Sequence, residues 1–474
     1  MRDARRSYLS GAALVWAARM ASFASGFASL LLLTRILSQQ MFGAYSFAMS
    51  VVLLLGLLSV LGLDRALLYR IASAAPATGV LKGTGLALRV SAASAAFSGI
   101  VVVLLWVFAP RIEAAGAPLG SAFWLAALAA ATVPFALTRI LASWMQANHR
   151  VAIGIIVTAI SDAARAGLFG LVYLLGGGQA AVAGAVVASA ALPTAILVAM
   201  ALRLGRRRAP RRLVSGDLSK GSLFLTQRIA NEGIRRLDLI LLGFASTGVE
   251  VAVYAVASRL GELTEFGRVA FKPTFVPRAR RHIASGNHDS AQREFRDAQL
   301  AATMIALAAA AAFALLGLPL LTAFGDYSGA YATLLIIAAG YLALTGCGMS
   351  ATYLAMSGEV FLSAALRVSA LVIASVLILL LAPAHGALGC AVAIFAARML
   401  VAIASLAVLW HVTGFCGLRL PGALGLIVAV ALLLAGGFGL LPGWLVAAGL
   451  VLHLLLLTLF EPRVLAIARM VMPK

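Results

Sequence analysis

Two long apolar stretches lie almost back to back near the end of the chain. They read FLSAALRVSALVIASVLILLLAP (residues 361–383) and GALGCAVAIFAARMLVAIASLAVLWH (residues 386–411). Each is longer than the roughly 20 residues that an α-helix needs to cross the hydrocarbon core of a bilayer. Only Ala384 and His385 separate them, so the pair predicts a helical hairpin that crosses a membrane twice.

The composition extends this prediction to the rest of the 474 residues. Hydrophobic residues make up 63% of the chain and charged residues 11%, and the mean hydropathy is +1.03. A typical globular domain has about 25% charged residues, so an ordinary soluble domain is excluded. The connectors between the apolar stretches leave no room for a soluble catalytic or nucleotide-binding domain.

We therefore predict an all-α polytopic membrane protein with about 14 transmembrane helices. The predicted spans are 10–36, 42–63, 84–108, 118–142, 151–175, 179–202, 221–246, 249–275, 298–320, 329–354, 361–383, 386–411, 421–441 and 443–460. The longest polar connector that we place in the cytoplasm, Pro277 to about Ala298, predicts a short amphipathic helix on the membrane face.

Positive charges alternate between the connectors. One set is rich in Lys and Arg: Arg65, Arg70, Lys82, Arg150, Arg203, Arg206, Arg207, Arg208, Arg211, Arg212, Arg278, Arg280, Arg281, Arg419, Arg463, Arg469 and Lys474. The opposite set is nearly bare, with Arg111 as the exception. Because cytoplasmic loops carry an excess of Lys and Arg, we predict both termini in the cytoplasm. The same bias accounts for most of the net charge of +21 without nucleic acid as a partner.

The two halves of the chain resemble each other at a shift of 209 residues. This shift pairs Arg19 with Arg228, Tyr45 with Tyr254, Pro110 with Pro319, and Trp144 with Tyr353. The helix pattern stays in phase from span 1 to span 5 and then slips by a few residues. Since each half has six spans, we predict a parallel repeat. The predicted parts are an N-terminal lobe (1–212), a C-terminal lobe (213–412), and two extra spans with a cytoplasmic tail (413–474).

Charged residues at membrane depth are the candidate site. They lie on spans 1, 5, 7 and 8: Arg19, Arg35, Asp162, Arg165, Arg228, Glu232, Arg235, Arg236, Asp238, Arg259, Glu262, Glu265 and Arg268. A charge in the middle of a span costs at least about 2.5 kcal/mol on insertion scales, so it faces a cavity or a partner. Asp162 with Arg165, and Arg259 with Glu262, have the i, i+3 spacing of helical ion pairs. Either these charges only hold helices together, or they line a water-filled cavity between the halves.

The balance of charge favours a particular substrate. The eight arginines just named outnumber the five acids, and we predict that they bind substrate. Guanidinium groups bind phosphate oxygens through two parallel hydrogen bonds, so an anionic, phosphorylated substrate fits and a cationic drug fits poorly. The five acids are candidates for ion pairs in the cavity or for coupling to a proton or sodium ion.

The three cysteines indicate no further chemistry. Cys347, Cys390 and Cys416 have no metal-ligand spacing, so we predict neither a disulfide framework nor a metal site. No cofactor is predicted.

Two segments resemble a known family. The first comprises residues 33–37 and 42–46 and ends with Gly62-Leu63-Asp64-Arg65-Ala66. The second comprises residues 238–243 and then Val253-Tyr254-Ala255-Val256-Ala257. These segments are similar to those of O-antigen and exopolysaccharide (Wzx-type) flippases. These flippases belong to the multidrug/oligosaccharidyl-lipid/polysaccharide (MOP) exporter superfamily. The resemblance covers nearly the whole chain through loose patterns rather than fixed signatures.

The resemblance implies a secondary transporter with two six-helix lobes around a central cavity. Its cargo would be undecaprenyl-diphosphate-linked oligosaccharide, flipped from the cytoplasmic to the periplasmic leaflet. Membrane lipids, a polysaccharide polymerase and a chain-length regulator would be its partners in the bacterial inner membrane. A lipid II flippase shares fold, span number and basic cavity. A multidrug extruder would need about 12 spans and an acidic site, and a polymerase or glycosyltransferase would need a large outer loop.

Reporter fusions test the predicted topology. Because Lys and Arg mark the cytoplasmic side, fusions after Arg212 and after Lys474 should both report cytoplasm. A fusion near Gly177 should report periplasm. A periplasmic signal after Arg212 would overturn the two-lobe prediction.

Overall fold

The computed structural model describes residues 2–72, 83–148, 150–204, 233, 236–347, 349–357, 359–415 and 420–460. These residues form 17 α-helices and two short 3-10 helices, without any strand in the described ranges. The predicted all-α class is confirmed.

The chain divides into two compact units, Met1–Arg236 and Leu237–Lys474. The helices of the N-terminal unit are α1 (Arg2–Ile36), α2 (Gln39–Leu58), α3 (Leu63–Ala72), α4 (Thr84–Ala114), α5 (Ser121–Ala129), α6 (Thr132–Ala147), α7 (Val151–Leu174) and α8 (Gln179–Leu204). The three-part division predicted from the sequence stays a prediction.

The C-terminal unit has nine described helices. They are α9 (Leu237–Ala245), α10 (Gly248–Gly261), α11 (Phe266–Ala284), α12 (His288–Ala323), α13 (Tyr331–Cys347), α14 (Met349–Met356), α15 (Val360–Thr413), α16 (Leu420–Gly437) and α17 (Gly443–Phe460). The 3-10 helix Glu262–Glu265 joins α10 to α11, and Ser328–Ala330 precedes α13.

Eight helices in the described ranges are long and apolar enough to cross a membrane. Helices α5 and α6 meet at a 47° bend, and they form a ninth span if together they cross the membrane once. Helices α16 and α17 are apolar but shorter. Gly386 divides α15 into two arms, because its φ of 53° and ψ of −131° are not helical. The chain is a multi-pass membrane protein. The number of 14 spans stays a prediction, since most of predicted span 7 lies outside the described residues.

Helix boundaries repeat along the chain at the predicted spacing. Five pairs are each 209 residues apart: Ile36 and Ala245, Gln39 and Gly248, Ala114 and Ala323, Ala147 and Met356, and Val151 and Val360. The last two pairs lie beyond span 4. The slip predicted after span 5 stays a prediction.

The helix caps repeat as well. Ser38 and Thr247 begin α2 and α10, and both have extended backbone conformations. Each side-chain oxygen accepts a hydrogen bond at 3.4 Å from the backbone N–H three residues later. Such caps satisfy an N–H group that the helix leaves free. Equivalent sequences thus start equivalent helices in the two units.

In the N-terminal unit, α7 packs against α1 and α8, and α6 packs against α3, α4 and α8. A buried cluster at one end of the unit contains Leu67, Leu86, Ile140, Trp144 and Leu197. In the C-terminal unit, α13 is central. It belongs to the apolar span Ser328–Met356, and 88% of the most apolar 18-residue stretch of that span is buried. It packs against α12, α15 and α16.

The C-terminal unit has an aromatic cluster at the matching end. Phe295 forms edge-to-face pairs with Phe275, Tyr353 and Phe415, and Tyr353 and Phe415 are tilted at 44° to each other; the ring centroids are 5.4–6.1 Å apart. The predicted amphipathic helix over 277–298 is wrong. Residues up to Ala284 continue α11, residues from His288 belong to α12, and the turn between them contains Gly286 with a φ of 72°. Phe275 and Phe295 anchor the two arms of this hairpin.

A carboxylate closes the kink in α15. The kink frees the backbone N–H of Ala387, which donates a 2.7 Å hydrogen bond to Oε2 of Glu250. A Cβ at Gly386 would overlap this carboxylate. The contact ties the first turn of α10 to the start of the second arm of α15.

Removing this acceptor should destabilise the C-terminal unit. Glu250→Ala leaves the buried Ala387 N–H unpaired, a loss of about 1–3 kcal/mol. Glu250→Gln keeps a carbonyl acceptor and should lose less. Thermal unfolding of the purified protein measures both, with the exposed Glu359→Ala as the control. Equal melting temperatures for Glu250→Ala and the control would contradict this role.

Candidate functional site

Intramembrane polar groups of the N-terminal unit meet between α7 and α8. Arg165 pairs with Asp162 at 3.1 Å, as the i, i+3 spacing predicted, and both side chains are partly exposed. The Nε of Arg165 also donates to Ser189 Oγ at 3.3 Å, and Ser161 donates to the Ser189 carbonyl oxygen at 2.7 Å. The guanidinium group is thus held by one helix and anchored to the next.

The two candidate arginines of α1 are in a different situation. Arg19 and Arg35 are both exposed. Within the described residues, Arg19 makes no ion pair or hydrogen bond. Its charge is therefore available to an external anion or to water.

Of predicted span 7, the structure describes Gly233 and the residues from Arg236 onward. Arg228, Glu232 and Arg235 lie outside the described residues. Arg236 is half-buried directly before α9, and its backbone N–H donates to the Gly233 carbonyl oxygen at 3.0 Å.

Two ion pairs mark the break between α10 and α11. Arg259 contacts Glu262 at 3.3 Å, as predicted, and Arg268 contacts Glu265, which is 5% exposed. Both acids lie in the 3-10 helix Glu262–Glu265. Each acid therefore offsets an arginine on a neighbouring turn. The role of these residues in binding substrate stays a prediction.

Asp238 is in a polar contact of another kind. Its carboxylate is 5% exposed; Oδ1 accepts from the Leu239 N–H at 2.7 Å, and Oδ2 accepts from the Tyr254 hydroxyl at 2.8 Å. The buried Cys390 thiol lies 4.0 Å from the Asp238 carbonyl oxygen. This cluster joins α9, α10 and the second arm of α15.

Sequence reasoning missed three cations of the C-terminal unit. Arg398 lies in the second arm of α15, and its guanidinium carbon is 3.6 Å from the centre of the Tyr341 ring. Lys272 and Arg367 lie on α11 and the first arm of α15, close enough for their charges to interact. None of the three has an Asp or Glu three or four residues away in the sequence, so the spacing of charges did not predict a helical ion pair. Their presence in long apolar helices was the signal available.

The structure also places the metal-ligating and thiol side chains of the described ranges. Among the described residues, no three His, Cys, Asp or Glu side chains are grouped so as to hold a metal ion. Cys347 and Cys390 are buried thiols without a disulfide bond, and Cys416 lies outside the described residues. What the two units offer is a set of intramembrane arginines and hydrogen-bonding side chains.

Solved structures with this fold are membrane transporters. A structure titled lipid II flippase MurJ, in an inward closed conformation, has a TM-score of 0.73 at 12% identity and covers 96% of this chain and 99% of its own. An inward-facing multidrug resistance MATE family transporter of the MOP superfamily has a TM-score of 0.60 at 15% identity and covers 84% and 96%. A Vibrio cholerae MATE transporter, VcmN, has a TM-score of 0.57 at 16% identity and covers 85% and 98%. At these identities the likeness shows the fold alone.

The sequence itself defines the family. No curated protein sequence is significantly similar to the chain. The profile of the family described as polysaccharide biosynthesis protein matches residues 9–266, which is more than half of the chain. The chain belongs to this family of polysaccharide biosynthesis proteins, and the resemblance noted in the sequence is confirmed.

The Asp162–Arg165 pair can be tested for its structural share. Asp162→Leu leaves a partly buried guanidinium without its acid and should lower the melting temperature. Asp162→Leu with Arg165→Leu should recover most of that loss, because removing both partners of a pair is far less costly than removing one. Thr158→Leu, which loses only hydrogen bonds to its own helix, is the control. A double variant less stable than Asp162→Leu alone would contradict the pairing.

Proposed function

We propose that this protein is a secondary transporter that flips undecaprenyl-diphosphate-linked oligosaccharide from the cytoplasmic to the periplasmic leaflet. The oligosaccharide is an O-antigen or exopolysaccharide repeat unit. Transport proceeds by alternating access, with arginines binding the diphosphate. No covalent step is involved, so the protein acts as a transporter and not as an enzyme.

The observation that carries the proposal is the excess of arginine at membrane depth in a polysaccharide biosynthesis protein. Asp162, Glu262 and Glu265 each pair with one arginine, while Arg19 is exposed on α1 without a partner in the described ranges. Arginine retains its charge when partly dehydrated and matches phosphate oxygens. A diphosphate group supplies the negative charge that such residues require.

The similar structures support a lipid cargo without deciding which one. The MurJ structure is titled a lipid II flippase, and a lipid-linked oligosaccharide presents related chemistry. The family match to polysaccharide biosynthesis favours a glycan other than lipid II. A multidrug substrate fits less well, because the described site has more arginines than acids. Lipid II flipping is thus the second candidate, and genetic complementation distinguishes the two.

The candidate arginines Arg19 and Arg228 provide the test. They are 209 residues apart and occupy equivalent places in the two repeats. In cells that depend on this chain for surface glycan, Arg19→Ala and Arg228→Ala should each reduce export at least about tenfold, the loss of one charge-assisted contact. Lys at either position should restore export only in part, because it cannot form two parallel hydrogen bonds.

The matched control is Arg89→Ala, which removes an exposed arginine of α4 and should leave export unchanged. Membrane expression of all variants is measured alongside. Normal surface glycan in the Arg19→Ala, Arg228→Ala double variant would rule out this role. Rescue of a strain depleted of its lipid II flippase, without rescue of glycan export, would favour the second candidate.

A further inference from the structure

Arg398 lies on the inner face of the second arm of α15. That arm runs from Gly386 to Thr413, and Arg398 is about 18 Å along it, near the middle of an apolar span. Residues three or four positions apart share one face of a helix. The other members of this face are at most 2% exposed: Ala387, Ala391, Ile394, Ala402, Ser405 and Leu409. The arginine is therefore on the face that packs against the rest of the C-terminal unit, not on a lipid-facing side.

The guanidinium group of Arg398 lies over an aromatic ring of the central helix α13. Its carbon is 3.6 Å from the centre of the Tyr341 ring, and Tyr341 is buried. Gly340 leaves room for the arginine stem, because a Cβ there would be 3.3 Å from Arg398 Cδ and 3.4 Å from the Phe395 Cα. The ring supplies a cation–π contact, but it does not neutralise the charge.

The charge of Arg398 has no counter-ion among the described residues. No Asp or Glu there forms an ion pair with it, and its nitrogens donate to no oxygen there. Nη1 is buried without an acceptor, while the side chain as a whole is partly exposed. Since the ring of Tyr341 covers one face of the guanidinium group, the N–H groups stay available along its edge. A phosphate can accept two parallel hydrogen bonds at such an edge.

Other arginines of the C-terminal unit are in a different situation. Arg259 contacts Glu262 at 3.3 Å, and Arg268 contacts Glu265. An anion that binds either of these arginines competes with a carboxylate, whereas an anion that binds Arg398 does not. A charge inside an apolar span is costly and marks a pathway for a substrate or an ion. Phospholipid headgroups stay at the membrane surface, so the anion that suits this depth is one that crosses the membrane.

We propose that Arg398 is an anion-binding residue of the C-terminal unit, which binds a phosphate of the lipid-linked cargo midway through the membrane. Tyr341 is a positioning residue that holds the plane of the guanidinium group. This inference rests on the proposed function and adds to it a residue that the candidate site did not contain. The missing counter-ion is then the diphosphate itself, which arrives and leaves with each transport cycle.

Binding of undecaprenyl diphosphate to the purified full-length protein in detergent tests the proposal. Arg398→Gln should raise the Kd at least about tenfold, because a charge-assisted contact is lost. Arg398→Lys keeps the charge but cannot form two parallel hydrogen bonds, so its Kd should rise by a smaller factor. Undecaprenol, which has no phosphate, should bind the parent and Arg398→Gln alike. The matched control is Arg280→Gln, which removes an exposed arginine of α11 and should leave the Kd unchanged.

The role of Tyr341 has a test of its own. Tyr341→Phe keeps the ring and should bind undecaprenyl diphosphate as the parent does. Tyr341→Leu removes the ring and should raise the Kd at least about threefold. In the Arg398→Gln background Tyr341→Leu should have no further effect, because it acts through the arginine. An equal loss of affinity in both backgrounds would show that Tyr341 does not position Arg398.

The melting temperature separates binding from a structural role. Without ligand, Arg398→Gln should melt within about 2 °C of the parent, because no ion pair is lost. If Arg398→Gln does not accumulate, Arg398→Lys decides: a raised Kd supports the proposal and an unchanged Kd contradicts it. A parent that binds undecaprenyl diphosphate no better than undecaprenol would contradict the proposed function, and this inference with it. A parent that prefers the diphosphate, with an unchanged Kd in Arg398→Gln, would overturn this inference alone.

Discussion

The hydrocarbon core of a bilayer hydrates neither a backbone amide nor a charged side chain, and the helices and ion pairs of the described residues reflect this constraint. Backbone groups are satisfied by helices throughout the described residues, as the solvent requires. Where a helix breaks, a side chain replaces the lost partner, as Glu250 does for the Ala387 N–H. Charged side chains face a neighbouring acid, an aromatic ring or an exposed surface. The described fold follows from this constraint.

The two repeats meet the constraint with different residues. Helix ends recur every 209 residues and the same caps start equivalent helices, so the backbone plan is shared. The candidate charges named from the sequence are distributed differently: they lie on α1 and α7 in the N-terminal unit and between Arg236 and Arg268 in the C-terminal unit. The two units thus share a backbone plan but carry an asymmetric set of candidate charges.

Hydropathy predicted most of the architecture because helix length and apolar content are properties of contiguous sequence. The i, i+3 pairs Asp162–Arg165 and Arg259–Glu262 were predictable for the same reason. The breaks at residues 59–62, 130–131 and 262–265 depend on packing between helices and left no local signal. Arg398 was missed because its contact is with the ring of Tyr341, which is far away in sequence.

The proposed cargo has a direct physical consequence. Two phosphate charges moving outward down an inside-negative potential release about 4–5 kcal/mol per 100 mV, so transport can proceed with little ion coupling. The purified protein in liposomes, supplied with undecaprenyl-diphosphate-linked oligosaccharide in one leaflet, measures this by the accessibility of the glycan to an impermeant enzyme. The account predicts movement well above protein-free liposomes and a faster rate when the starting side is negative. No movement beyond the protein-free rate, with a correctly folded protein, would contradict it.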